Sequence, residues 1–424
     1  MDGRMKASGI VLNSGGDSDQ NRFFYGYVVV AVCFAIQVVG WGIHNSFGIF
    51  FAPLLHEFDW SRASVAGAGA VSVLIHGIGS IVAGGMNDRI GPRKIMTGCG
   101  LLMGAGYMLM SRVDTLWEIY LFYGLIIGIG VSGTDVVLLS TAARWFHTRR
   151  GIVTGIIKVG TGLGMVIMPL FITLLLNHFA WRTTFFILGV VILVVYVLLA
   201  QLLVRDPALK KQYPDNARQT DNRALSREEG LTFRDILRTR RFWTLCVVTL
   251  LVVSCTYTVM MHIVPHLLDI GVSPAKAASV LSIVGGISIV GRLVLGAIVD
   301  KTGAKKALMI PISLLFTALW VLVFAKTMGM FYLFAVIQGF AHGGFYALIS
   351  PTVAEFFGTR EHGIILGAVI FSTTIGGSVG PFAAGYVFDV TGTYSVVFAG
   401  LAGISLVALA LTTTFKSAHG QTVP

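Results

Sequence analysis

Charge is what this sequence has least of: Asp, Glu, Lys and Arg together make up 12% of its 424 residues, about half the share of a typical soluble domain. That scarcity excludes the two or three soluble domains the length would otherwise allow. Cysteine is scarce too. The four copies, Cys33, Cys99, Cys246 and Cys255, all lie inside apolar stretches. This excludes a disulfide framework, a zinc site and a redox motif, and leaves them as small buried hydrophobes. Residues 1–21 are polar and rich in Gly, Ser and Asp, so no cleavable signal peptide is expected. Strand-like alternation is absent, which argues against a membrane barrel. No phosphate-binding loop, His-Glu-x-x-His string or nucleophile elbow is present. The polar loops are too short for a catalytic domain, so an enzyme is not expected. The long extramembrane domain that a membrane sensor needs is also missing.

What remains is apolar. Hydrophobic residues make up 55% of the chain and Gly contributes 51 copies, and membrane helices tolerate Gly better than soluble ones do. Apolar runs fall near 24–51, 64–86, 95–111, 115–142, 151–177, 184–204, 242–268, 277–299, 307–325, 329–353, 363–388 and 394–415, each long enough to cross a bilayer as a helix. The expected fold is all-α and integral to the membrane, with twelve transmembrane helices. The only long polar segment, 205–241, separates a six-helix bundle at 23–204 from a second at 242–415, with tails at 1–22 and 416–424. The end of that linker, Thr232 to Arg241, reads either as a short surface helix with Thr232 as N-cap and Asp235 completing a weak capping box, or as a solvated basic segment.

An even number of spans puts both termini on one side. Of the 31 Lys and Arg, 24 fall on that side, 5 on the other, and Lys158 and Arg292 within spans. The positive-inside rule therefore places both termini in the cytoplasm. It accounts for the net charge of +11 without nucleic acid. A multi-pass plasma-membrane monomer, with lipid and a small solute as its partners, is expected.

The two halves repeat each other. Gly84-x-x-x-Asp88-Arg89-x-Gly91-x-Arg93-Lys94 recurs as Gly296-x-x-x-Asp300-Lys301-x-Gly303-x-Lys305-Lys306, an offset of 212. Gly155, Gly164 and Pro169 recur as Gly367, Gly376 and Pro381 at the same offset, and Arg144-Trp145-Phe146 answers Glu355-Phe356-Phe357 at 211. These are duplicated six-helix units. Short loops need Gly for tight turns, and the Asp and basic residues can pair with neighbouring helix ends; Asp88 and Arg144 are candidate partners. The Gly/Pro strings read as points of close helix packing and bending.

Parallel six-helix halves with a site between them at mid-membrane are the layout of the major facilitator superfamily. The repeated loop resembles that superfamily's signature between helices 2 and 3. Further strings narrow the likeness: Asn21-Arg22-Phe23-Phe24-Tyr25, Ala143-Arg144-Trp145-Phe146 followed by Arg150-Gly151, Leu237-Arg238-Thr239 before Phe242-Trp243, and Gly343-Gly344-Phe345-Tyr346-Ala347-Leu348. Together they resemble the oxalate/formate antiporter family and the related monocarboxylate transporters. The resemblance implies a secondary active transporter of small organic anions working by alternating access. Proton-coupled symport of a monocarboxylate such as lactate stands first, organic anion exchange second, and export of an unrelated solute third. No cofactor is implied beyond a coupling proton.

The same resemblance assigns residues. Arg292 matches the helix 8 arginine that in both families contacts the substrate carboxylate, and its planar fork suits that group. Read from the residues alone, Arg292 could instead form a structural ion pair, or snorkel toward the surface near Asp300. The oxalate exchanger holds a second carboxylate with a helix 11 lysine; Val369 stands at that place, so a monoanion fits better than oxalate. Animal monocarboxylate transporters place a lysine in helix 1 and an aspartate one turn before the arginine. Here those places hold Asn45 and Ser288, so that proton site does not carry over, and the two polar side chains are expected beside the substrate. Tyr346 matches a cavity tyrosine of the family.

Asp135 in helix 4 and Lys158 in helix 5 are interior to neighbouring spans at similar depth. Ionisable residues there are functional candidates. Asp135 could take the coupling proton and release Lys158 to attract the anion, or the two could form a static salt bridge. His262 and His266 are one turn apart, as are His342 and Tyr346, whereas His44 and His76 look isolated; packing is the expected role of the histidines, and no metal site is expected. Gln37, Trp41 and Asn45 share one face of helix 1 as possible cavity lining, and Tyr25 and Tyr27 read as interfacial anchors.

Overall fold

The computed structural model describes residues 23–216 and 230–415. The expected tails 1–22 and 416–424, and residues 217–229 of the linker, lie outside the described residues. Twelve long helices carry the fold: α1 Gly26–Asn45, α2 Arg62–Ile90, α3 Pro92–Met110, α4 Leu116–Trp145, α5 Arg150–His178, α6 Trp181–Ala200, α7 Arg240–Asp269, α8 Pro274–Thr302, α9 Ala304–Phe324, α10 Met328–Phe357, α11 His362–Thr391 and α12 Tyr394–Thr413. Among the described residues, eleven helices are long and apolar enough to cross a membrane on their own composition. The twelfth, α3, opens with Arg93 and Lys94 and carries Gly98, Gly100, Gly104 and Gly106, which lower its mean hydropathy. Those glycines serve packing: a Cβ on Gly100 would lie 2.4 Å from Tyr196 Cβ, and one on Gly104 would lie 2.9 Å from the Gly189 carbonyl oxygen, both on α6. Small residues let helix backbones approach where lipid supplies no hydrophobic drive.

One element differs from the sequence expectation. The first apolar run breaks after Asn45 into a 3-10 turn, Phe47–Phe50, and a short helix, Phe51–Phe58, ended by Asp59 in the left-handed region. The segment 232–241, read either as a short surface helix or as a solvated stretch, holds a single helical turn, Phe233–Ile236, with Thr232 accepting from the Asp235 N–H; α7 then starts at Arg240.

Polarity is distributed for a lipid solvent. Leu101, Phe186, Leu198, Trp243 and Leu406 are exposed, while Gln37, Ser72, Asn87, Thr249 and Gln338 are buried. Packing repeats between the halves. α1 packs on α5, α2 on α4 and α3 on α6; correspondingly α7 packs on α11, α8 on α10 and α9 on α12. The halves meet along α2 with α11 and along α5 with α8, two contacts exchanged by the repeat.

Candidate functional site

The repeated loops close one face of the molecule. α2 and α8 end at Gly91 and Gly303, with φ of 88° and 78°, a left-handed turn that glycine adopts without strain. This aims the preceding aspartates at the opposite half. Asp88 accepts from the N–H groups of Gly363 (3.1 Å) and Ile364 (3.0 Å) at the start of α11. Asp300 accepts from Gly151 (2.7 Å) and Ile152 (3.0 Å) at the start of α5. Each carboxylate thus caps a helix N-terminus across the divide, satisfying orphan donors and opposing the dipole. Arg144 pairs with Asp88 at 3.2 Å and reaches Asp206 of the linker and the Arg360 carbonyl. The backbones touch here: a Cβ on Gly84 would lie 2.1 Å from the Gly363 oxygen, and one on Gly151 would lie 2.1 Å from that of Gly296. Arg89 and Arg93 are exposed on the same face.

From mid-helix to the opposite face runs a cavity of about 840 Å³. Its wall from the first half includes Trp41, Asn45, His76, Asp135 and Lys158; its wall from the second includes Tyr257, His262, Tyr346, Thr373 and Thr374. One wall holds two opposite charges, and the other offers hydroxyls and a histidine.

Asp135 and Lys158, 8% and 6% exposed, meet at 2.7 Å between Lys158 Nζ and Asp135 Oδ1. Gln37 Nε2 donates to the same oxygen at 2.8 Å and to the Thr134 carbonyl at 3.0 Å, while Thr161 donates to Gln37 Oε1 at 2.6 Å. The pair is therefore fixed by a neutral amide clamped from both ends. Removing two charges from water costs several kcal/mol each unless they are paired and hydrogen-bonded, and here they are both.

Of the residues expected around a substrate, Tyr346 and Asn45 line the cavity, and Asn45 Nδ2 donates to the Trp41 carbonyl of its own helix at 2.9 Å. The other two are placed elsewhere. Ser288 lies outside the cavity wall: its hydroxyl bonds the Gly285 carbonyl (2.6 Å), and its backbone packs against Gly343 of α10. Arg292, 4% exposed, also lies outside it. Its guanidinium sits between α8 and α5 and donates from Nη1 to the Lys158 carbonyl at 2.8 Å, because the two helices close tightly there on glycine. Among the described residues it makes no ion pair, and it turns to α5 rather than toward Asp300.

The histidines also rearrange the expectation. His44 and His76 are not isolated: both rings pack edge-on against Trp41, with centroids 5.7 and 5.2 Å away. His262 bonds Tyr394 Oη (3.2 Å) and the Pro381 carbonyl (3.1 Å) at the cavity's outer end, and His266 packs among Phe331, Tyr394 and Phe398. Sequence reasoning missed Tyr257; the polar string Cys255-Thr-Tyr-Thr258 within apolar α7 was its available signal. Tyr25 is more than a surface anchor: its hydroxyl bonds the Leu202 carbonyl and its N–H bonds Gln212 of the linker. Among the described residues no group of His, Cys, Asp and Glu could hold a metal ion.

Comparison with known proteins agrees with this architecture. The family model described as Major Facilitator Superfamily matches residues 30–327 and 268–422. Monocarboxylate transporter 13 of Bos taurus is 29% identical over 91% of this chain and 87% of its own length. Monocarboxylate transporter 12 of Homo sapiens is 26% identical over 90% and 78%. Among solved structures, the human organic anion transporter MFSD10 superposes with a TM-score of 0.70 at 17% identity, covering 91% of this chain and 99% of that one. The transporter FucP in its outward conformation gives 0.69 at 14%, covering 92% and 99%. These two establish likeness of fold.

Proposed function

Because the chain belongs to the Major Facilitator Superfamily and is related to its monocarboxylate transporters, we propose that it carries a small monocarboxylate, lactate being the first candidate, together with a proton by alternating access. The termini and the Asp88/Asp300 face lie in the cytoplasm of a plasma-membrane protein, and the cavity opens outward. The observation that carries this reading is the Asp135–Lys158 pair in the cavity wall.

Charge balance at that pair supplies the coupling. The empty site holds one carboxylate and one ammonium, so it is neutral. A carboxylate arriving alone would leave net negative charge, and a proton arriving alone would leave Lys158 without its counter-ion. Either state costs several kcal/mol in the membrane interior. With both bound, protonated Asp135 releases Lys158 to the substrate carboxylate, and the site is neutral again. Only the empty and doubly loaded forms cross between conformations cheaply, and that defines symport. Tyr346 and Asn45 bound the space available to the rest of the substrate.

The test is uptake of labelled lactate into liposomes under an inward proton gradient, by wild type, Asp135→Asn and Lys158→Met. Gradient-driven uptake by wild type, lost in Lys158→Met and uncoupled from the gradient in Asp135→Asn, supports symport. Gradient-driven uptake undiminished in Asp135→Asn removes the proton role. Uptake that requires preloaded anion points to exchange.

A further inference from the structure

The interface between the halves has two arms related by the repeat, and they differ where Arg292 stands. In the arm between α2 and α11, Gly84 faces Gly363, and a Cβ on Gly367 would meet the Ser80 carbonyl at 2.4 Å. In the arm between α5 and α8, Gly151 faces Gly296, and a Cβ on Gly155 would meet the Arg292 carbonyl at 2.4 Å. These contacts correspond pair by pair at the offset of 212, so Arg292 is the counterpart of Ser80. Ser80 spends its hydroxyl within its own half, on the His76 and Ser132 carbonyls. Arg292 reaches across the divide to the Lys158 carbonyl.

We propose that Arg292 is a latch between the halves, a positioning residue that holds the cytoplasmic side closed and seats Lys158 at the cavity wall. In α5 the Lys158 carbonyl already accepts the N–H four residues on, from Gly162, and its second lone pair takes the guanidinium. Gly162 makes room for that approach: a Cβ there would lie 2.4 Å from Arg292 Nη1, with Ile289 Cγ1 next at 3.3 Å. Arg292 Nε has no hydrogen-bond partner among the described residues. The guanidinium is therefore held chiefly by a bond that exists only while α5 and α8 are together, and separation of the two helices frees it. Lys158 joins both devices, since its ammonium holds Asp135 and its carbonyl holds the latch.

The inference rests on the alternating-access reading, but its test needs no substrate. Spin labels on Cys introduced at the exposed positions Arg149 and Thr302 report the distance between α5 and α8 at the cytoplasmic face; the four native cysteines are buried. Gly162→Ala displaces the guanidinium while keeping its charge, and Arg292→Met removes it. Loss of a hydrogen bond to a charged group corresponds to roughly a ten- to hundredfold rise in the open-to-closed ratio, and both variants are expected to show it. Gly285→Ala, on α8 with no atom within 4 Å of the added Cβ, is expected to match wild type. If Arg292→Met fails to fold, Gly162→Ala alone decides. An unshifted distance distribution in Gly162→Ala overturns the latch, and so does an equal shift in Gly285→Ala. Shifted distributions in a protein that carries no monocarboxylate would keep the latch and remove the proposed substrate.

Discussion

Replacing Asp300 by Asn tests how the cytoplasmic face is closed. Asp300 accepts two backbone bonds at the start of α5, 2.7 and 3.0 Å long. Asn keeps one acceptor oxygen and presents an N–H₂ group where the second oxygen was, so one bond is lost and the survivor loses its charge assistance. Bonds to charged groups contribute about 1.5–3 kcal/mol and neutral ones about 0.5–1.5. The negative charge at a helix N-terminus adds about 0.3–1 kcal/mol. A conservative net loss is about 2 kcal/mol, which is roughly thirtyfold in an equilibrium. Hydrogen exchange followed by mass spectrometry, in lipid nanodiscs, reads this directly. Amides of the first turn of α5, Gly151 and Ile152 among them, should exchange about thirtyfold faster. The repeat makes a second demand: Asp88→Asn should do the same at Gly363 and Ile364 of α11. Unchanged exchange at both helix starts would refute the cross-capping account. Acceleration confined to helices away from this face would refute it equally.

Two further outcomes follow from groups outside the cavity. Arg182 bonds Glu57 (2.8 Å), Asp114 (3.0 Å) and the Val113 carbonyl (2.9 Å), tying the short helix after α1, the α3–α4 loop and α6 together. Exposed ion pairs contribute little, so most of the effect of Arg182→Ala should come from the carbonyl bond and lost packing on Trp181. A drop in thermal stability of about 1–2 kcal/mol is expected, read by differential scanning fluorimetry, with Arg182→Lys failing to restore it. His147, in the loop between α4 and α5, is pushed down to about 4 by burial first and by Arg150 second, against Asp215. Above the ordinary value of 6.5 it is neutral folded or unfolded. As pH falls from 6.5 toward 4, the unfolded chain takes up a proton that the folded chain refuses, so stability is lost across that window. Thermal unfolding of His147→Asn should show a shallower loss between those two pH values than wild type; parallel curves would contradict this.

Much of the architecture was legible because charge is rare in this chain. Each ionised residue within an apolar run stands out, and that picked out Asp135 and Lys158 and set them at similar depth. The offset of 212 identified equivalent loops, and with them the Asp88–Arg144 contact. The repeat could not reveal which surfaces of the two halves meet, because it relates residues within each half by register alone. That Asp88 and Asp300 cap helices of the opposite half depends on the dimensions of the closed interface. The same limit explains Arg292 and Ser288. Sequence placed both mid-helix on α8, but their directions are fixed by glycines on α5 and α10 that let the backbones touch. His44 and His76 looked isolated because their meeting point, Trp41, is three residues from one and on a different helix from the other.

The most direct test of the central claim is the number of protons that enter with each lactate. Liposomes loaded with a pH-sensitive dye and holding the purified protein should acidify when lactate is added outside without an imposed gradient. Together with labelled uptake, this should give one proton per lactate in wild type. In Asp135→Asn any remaining uptake should bring no acidification. Lactate entry without acidification in wild type, or an unchanged ratio in Asp135→Asn, would contradict the account.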